Sequence, residues 1–232
     1  MIKIRSRTEL GGGDFGWLKA LHHFAVGEDG NPAHGPIGDL IVWNDDEIAP
    51  GTGFPMHAHR HVEIITYVRE GAISHRDSLG NHGKTVAGDV QVMSAGAGIM
   101  HAEFNHEDSA TKVFQIWIRP RESGGMPRWD SKPFPNAERA GKFVVLASGY
   151  QEDADALSIR ADARVLGASL VAGQEICYEL PPGGKAYLVA ARGRLQINQL
   201  ALDARDGAAI QDEQSLHITA FADTEIIMVV VA

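Results

Sequence analysis

Short runs rich in β-branched and aromatic residues recur along the chain: DLIVWN, VEIITYV, GDVQVMS, KVFQIWI, KFVVLAS, EICYEL, KAYLVAA, RLQINQL and TEIIMVVVA, separated by Gly, Asp and Asn. Each run is too short for a stable helix, and side chains branched at Cβ sit well on a pleated, half-buried surface. One short helix is expected, from Phe15 to Phe24; no other segment sustains apolar residues at a 3.6-residue spacing. Many short strands at fairly even spacing predict an all-β sandwich or barrel. A length of 232 residues with 44% apolar side chains is enough to bury a core, as one large domain or two small ones.

The texture changes between Arg119 and Lys142, where Pro120, Pro127, Pro133 and Pro135 accompany Gly124 and Gly125. These residues interrupt regular strands and predict a linker, dividing the chain into β units at 1–125 and 126–232. The halves share a grammar: TYVREGAIS around Gly71 is similar to LVAARGRLQI around Gly193, and GDVQVM to GAAIQD. Such self-similarity predicts a duplication. The apolar IIMVVVA near the C-terminus is too short to span a bilayer and reads as a buried final strand.

A net charge of −9 argues against a nucleic-acid or anionic-membrane surface. The single cysteine, Cys177, excludes an internal disulfide, and its flanking residues supply no cation, so a buried structural thiol is expected. MIKIRSRTELGGG has neither an apolar h-region nor a small-residue cleavage site, and cytoplasm is the default location.

In GTGFPMHAHRHVEIITYV, His57, His59, His61 and Glu63 stand at every second position, which on a strand places them on one face. A second cluster, GDVQVMSAGAGIMHAEFNHE, repeats the spacing with His101 and Glu103, and Gly96 and Gly98 permit a bend that brings the two strands together. Three imidazoles with one carboxylate, Glu103 or Glu63, suit a divalent first-row metal, and the lack of thiolates removes any selection for soft-metal chemistry. A structural zinc site would be closed and usually rich in cysteine.

These residues resemble the cupin motifs. Gly51, His57, His59 and Glu63 fit the first, and Gly88, Gly96, His101 and Asn105 fit the second, with Ser94 in place of a proline. The departures point to a narrower resemblance, to the pirins. Gly16-Trp17-Leu18, His22, Phe24, Asn44-Asp45-Asp46, His57, His59, Glu63, Tyr67, His75, Asp77, Ser78, Gly80, Asn81, Gln91, Met93, Ser94, His101, Glu103 and Gln115 to Ile118 all match the pirin pattern. The resemblance implies two cupin-type jelly-roll barrels in tandem, with one divalent metal in the first, held by His57, His59, His101 and Glu103. It implies that Glu63 lies outside the coordination sphere. Iron is the metal first expected, with nickel, manganese, copper, cobalt or zinc as alternatives.

His61 departs from the pirin pattern and is read as a solvated rim position; the segment 25–38 also departs, near the expected pocket mouth. His22 lines the pocket or sits in a core. His75 and His82 flank a hairpin and are expected to be solvated, and His34, His106 and His217 receive no role. Counting from Gly193 and Gly207 makes Glu179, Pro181, Ala220 and Ala222 the second half's counterparts of the four ligands. None is a histidine, so the second barrel is expected to hold no metal.

Bacterial pirin-like proteins are associated with quercetin 2,3-dioxygenase activity. The resemblance therefore implies a flavonol and dioxygen as reactants, with Glu103 or another nearby carboxylate taking the flavonol's hydroxyl proton. Alternatives are a redox-sensing protein that binds a protein partner, as in eukaryotic pirins, or another cupin enzyme acting on a small molecule.

Overall fold

The computed structural model describes residues 1–25 and 30–232, with only the backbone of Asn136. The strands of the first half are β1 (Ile2–Arg5), β2 (Gly11–Asp14), β3 (Leu18–His22), β4 (Leu40–Ile48), β5 (Gly53–His59), β6 (Glu63–Glu70), β7 (Ala72–Asp77), β8 (His82–Val86), β9 (Val90–Ser94), β10 (Ile99–Phe104) and β11 (Thr111–Ile118). Then come β12 (Arg128–Lys132), β13 (Val144–Ser148), β14 (Leu157–Ser158), β15 (Ala163–Leu170), β16 (Glu175–Glu179), β17 (Lys185–Arg192), β18 (Arg194–Ile197), β19 (Leu200–Asp203), β20 (Gly207–Ile210), β21 (Ser215–Ala220) and β22 (Thr224–Val231). Among the described residues the only helical elements are two 3₁₀ turns, Arg7–Glu9 and Asn136–Arg139.

The strands form two barrels, each from a seven-stranded and a four-stranded sheet. The first combines β12-β9-β6-β11-β4-β3-β2 with β5-β10-β7-β8; the second combines β1-β20-β17-β22-β15-β13-β14 with β16-β21-β18-β19. The tandem jelly-roll architecture expected of a bicupin is present. Strand β1 crosses over to pair with β20, so the start of the chain belongs to the second barrel's sheet.

Two local expectations are corrected. The segment expected as a helix, Phe15 to Phe24, contains β3, antiparallel to β4 with Leu18 opposite Ile48 and His22 opposite Asn44. Leu18 and Ala20 are buried while Lys19 is exposed, a two-residue period that a sheet satisfies and a helix does not. The expected linker carries β12, which pairs with β9 from Arg128↔Ser94 to Lys132↔Val90. Pro127 and Pro133 bracket β12 without entering it, so no ladder amide is lost.

Strand β6 shows how one sequence serves two cores. Ile64 and Val68 face the interior of the first barrel, whereas Ile65 and Tyr67 join a core shared by both barrels. That shared core packs Trp43, Phe114 and Ile116 against Leu146, Tyr187, Ile227 and Val229. Strands covered on both faces become continuous apolar runs, as in VEIITYV and IIMVVV; every residue of β22 is buried, as expected for the final strand.

Charged groups within the junction are paired. Asp45, fully buried, takes Arg69 from its own barrel and Arg205 from the other. Arg139, also fully buried, meets Glu225 at 3.4 Å and donates to the Tyr67 hydroxyl at 3.1 Å; Tyr67 in turn donates to Glu225. No helix among the described residues is long and apolar enough to cross a membrane.

Candidate metal centre

The β5–β10 pairing builds the site. His101 lies opposite His57 and Ile99 opposite His59, so all three imidazoles project from adjacent strands into the first barrel. Met56 and Met100, on the other face, are exposed. Ring centroids are 4.7 Å apart for His57–His59, 4.4 Å for His57–His101 and 5.0 Å for His59–His101. One nitrogen from each ring lies within 4.8 Å of the others. A second group within the same limit comprises His75, His101 and Glu103, so His101 is shared, and Glu103, on the same strand, pairs across to His75 of β7.

The protonation pattern suits metal binding. Burial and the neighbouring His57 push His59 down to about 4. Burial, then His57, His59 and His75, holds His101 far below the usual histidine range. Both rings are therefore neutral near pH 7 and keep a lone pair. His57 Nδ1 donates to the Pro55 carbonyl at 2.7 Å, which leaves Nε2 as the lone-pair nitrogen. His101 Nε2 is buried with no protein partner, an arrangement that a metal ion would satisfy. These donors fit a divalent first-row ion.

Glu103 is buried and firmly held. Gln91 Nε2 donates to Oε1 at 2.7 Å and Gln115 Nε2 to Oε2 at 2.8 Å. Burial raises its carboxyl to about 7 despite hydrogen bonds from Gln115, Gln91 and Thr66. Gln91 is itself fixed by Thr85 Oγ1 at 2.9 Å, and Gln115 by Trp117 Nε1 at 3.1 Å. Glu63 faces away from the imidazoles: its Oε2 accepts from Ser94 Oγ at 2.6 Å and from the Arg160 amide at 3.1 Å.

His75 corrects the expectation of a solvated hairpin residue, for it is 3% exposed. It stacks on Trp129 with ring centroids 4.7 Å apart and planes 6° from parallel. That stacking comes from β12, which was hidden inside the supposed linker. Gly83 makes it possible, because a Cβ there would lie 2.3 Å from the indole. His82 is exposed. His61 is exposed with φ 56°, and its Nδ1 accepts from the Gly124 amide at 2.9 Å, tying the β5–β6 turn to the inter-barrel segment.

A cavity of about 280 Å³ opens beside His57 and His59. Its walls are aromatic and aliphatic (Phe15, Leu18, Ala20, Phe54, Trp117), with His22, Asn44, Asp46 and Gln115 as polar groups. His22 is thus a pocket residue. Asp46 and Asn44 were visible only as part of a family pattern; their two-residue spacing on β4 is the signal that both face inward. In the divergent segment, 26–29 lie outside the described residues. Of the rest, Gly35 O accepts from Arg5 and Ile37 enters the shared core, and neither lines the cavity.

In the second barrel the strand register moves the counterparts. Glu103 lies opposite His75, four residues after Gly71; Ile218 correspondingly lies opposite Ile197, four after Gly193. Leu216 then matches His101, Tyr178 matches His57, and Leu180 matches His59. Counting from Gly207 failed because it pairs with Val189 as Val90 pairs with Tyr67. The true match of Gly88 is Arg205, which holds φ 69° without being glycine. Leu180, Leu216 and Ile218 fill that interior with hydrocarbon. Cys177, expected to be buried, is exposed because Ile176 and Tyr178 take the inward positions; its Sγ lies 3.4 Å from His217 Nδ1.

Comparisons agree with this construction. The Pirin family model matches residues 3–118, and a model described as the quercetinase C-terminal cupin domain matches 145–230. A pirin-like protein of Caulobacter vibrioides is 58% identical over 99% of each chain. A quercetin 2,3-dioxygenase of Escherichia coli is 34% identical over 98% of this chain and 97% of that one. The crystal structure of the E. coli pirin YhhW in complex with nickel(II) superposes with a TM-score of 0.93 at 32% identity, covering 100% of this chain and 99% of that one. With its two matched models, near-complete relatives and shared bicupin fold, the chain belongs to the pirin family.

Proposed function

We propose that this protein is a metal-dependent dioxygenase that cleaves a flavonol with dioxygen and releases carbon monoxide. The observation that carries this reading is the convergence of three imidazoles, with His101 Nε2 buried and unpartnered, two of which, His57 and His59, line an aromatic-walled cavity. Similarity over nearly the whole chain to a relative named quercetin 2,3-dioxygenase supports it. His57, His59, His101 and Glu103 hold one divalent ion, and the second barrel acts as support. When bound, the ion supplies a Lewis acid for the flavonol's ionised hydroxyl and the means to react with dioxygen. Iron is the first choice by family resemblance; the nickel(II) complex of YhhW makes nickel the second to test.

The protein's own contribution is positioning. Trp117, Phe54 and Phe15 provide flat apolar surface for an aromatic ligand and displace water from around it. Gln91 and Gln115 fix both oxygens of Glu103, so that carboxylate stays in place. A substrate hydroxyl directed toward His57 and His59 must lose its proton to a carboxylate facing the cavity.

The test is anaerobic purification, reconstitution with iron(II) or nickel(II), and measurement of oxygen uptake and carbon monoxide with quercetin. Turnover should disappear in His101→Ala and with a flavone that lacks the 3-hydroxyl. If every metal form leaves quercetin at the protein-free rate, the enzymatic reading fails.

A further inference from the structure

Asp46 is 2% exposed, lines the cavity beside His57 and His59, and has a buried Oδ1 with no hydrogen-bond partner. Such a group is costly unless something else meets it. Its neighbour on the same chain is not in this position: the Asp45 carboxylate faces the junction and is taken by Arg69 and Arg205. Nor is Glu103, which is not among the residues lining the cavity and whose oxygens accept from Gln91 and Gln115. Of these three buried carboxylates, Asp46 is the one that offers an open oxygen to the cavity.

We propose that Asp46, rather than Glu103, is the catalytic residue that takes the proton from the substrate's hydroxyl. The proposal rests on the flavonol reading and assigns its proton acceptor. In this step the flavonol O–H bond breaks, the proton passes to Asp46 Oδ1, and the electron pair stays on the substrate oxygen, which is left anionic facing His57 and His59. Asp46 becomes a neutral carboxylic acid and holds the proton at the cavity wall.

The surroundings suit that role. Burial raises the Asp46 carboxyl to about 8, with the charges of Asp45 and Glu103 adding to the effect and Arg69 opposing it. An acceptor raised toward the phenol range is a far better base for a phenolic hydroxyl than an ordinary carboxylate. Holding the base on β4, across the cavity from β5, leaves Glu103 free to serve as a ligand throughout.

The test counts protons without turnover. Zinc(II)-loaded protein, which is redox-silent, is titrated anaerobically with 3-hydroxyflavone by calorimetry at about pH 9, in two buffers of different ionisation enthalpy. The wild type should release well under half of a proton per bound ligand, because the anionic substrate oxygen beside Asp46 raises its carboxyl above the ligand-free value of about 8 and the proton stays on it. Asp46→Asn should bind zinc equally and release about one proton. Equal counts in the two proteins overturn the proposal. As a second readout that needs no variant, the infrared difference spectrum of the wild type on ligand binding should gain the carbonyl stretch of a protonated carboxyl; its absence also overturns the assignment. If 3-hydroxyflavone binds neither protein, the flavonol reading fails, an outcome distinct from equal proton counts.

Discussion

Nδ1 of His75 lies 3.4 Å from Nδ1 of His101. A hydrogen bond across this distance needs the hydrogen on one ring nitrogen and a lone pair on the other. Asp77 decides which. Its Oδ2 lies 3.2 Å from His75 Nε2 and accepts a hydrogen bond from it, while the Asn81 side chain and the Leu79 and Asn81 amides keep Asp77 ionised. His75 stays neutral, chiefly through burial. Its Nδ1 is therefore the acceptor, His101 Nδ1 the donor, and His101 Nε2 is left as a lone pair facing His57 and His59. The chain Asp77–His75–His101 sets the His101 tautomer from two residues away.

Asp77→Asn should invert that chain, because an amide NH₂ donates to His75 Nε2 and places hydrogens on the wrong nitrogens down the line. Metal affinity, measured by competition with a chromophoric chelator, should fall roughly 10–100-fold. Circular dichroism should be unchanged. An affinity within about twofold of wild type would show that the His75–His101 contact sets no tautomer.

Asp46 gives a pH signature in the metal-free protein. Its carboxyl rises from an ordinary 3.8 to about 8 on folding, so the folded state holds the proton more tightly than the unfolded one. This stabilisation is complete below about 4 and is lost as pH rises through about 8. Asp46→Asn should therefore be more stable than wild type at about pH 9, on the order of a few kcal/mol and seen as a higher Tm, and the gap should shrink toward pH 4. Glu103, raised to about 7, adds its own loss between about 4.5 and 7 in both proteins. A Tm difference that does not change with pH would contradict the assignment.

The junction between barrels rests in part on Glu225. Removing it leaves the fully buried Arg139 guanidinium without its carboxylate. Glu225→Ala should cost about 3–5 kcal/mol in urea unfolding. A loss below about 1 kcal/mol would mean that the pair is compensated elsewhere.

The two barrel interiors should respond in opposite ways. Leu216→Ala should cost about 2–5 kcal/mol of stability and leave metal content unchanged. His101→Ala should remove the metal. Retention of tight metal binding in His101→Ala would break the correspondence between the two positions.

Much of this was legible because a strand's two-residue period exposes its faces directly. His57, His59, His101 and Glu103 could be paired from spacing alone, and the apolar runs gave the strands. Spacing alone did not choose between the two carboxylates, since Glu63 and Glu103 both stand in register with a histidine. Only the fold shows that Glu63 turns toward Ser94. His75 was missed because its cover, Trp129, arrives from a strand more than fifty residues away, flanked by prolines that read as a linker. The second barrel's register was misjudged because Arg205 occupies a left-handed position that the first barrel gives to Gly88.

The most direct measurement is metal stoichiometry after reconstitution and gel filtration, by elemental analysis of wild type, His59→Ala, Glu63→Gln and Glu103→Gln. About one ion per chain is expected for wild type and Glu63→Gln, none for His59→Ala, and a loss of tight binding for Glu103→Gln. An empty Glu63→Gln beside a fully loaded Glu103→Gln would contradict the site as described.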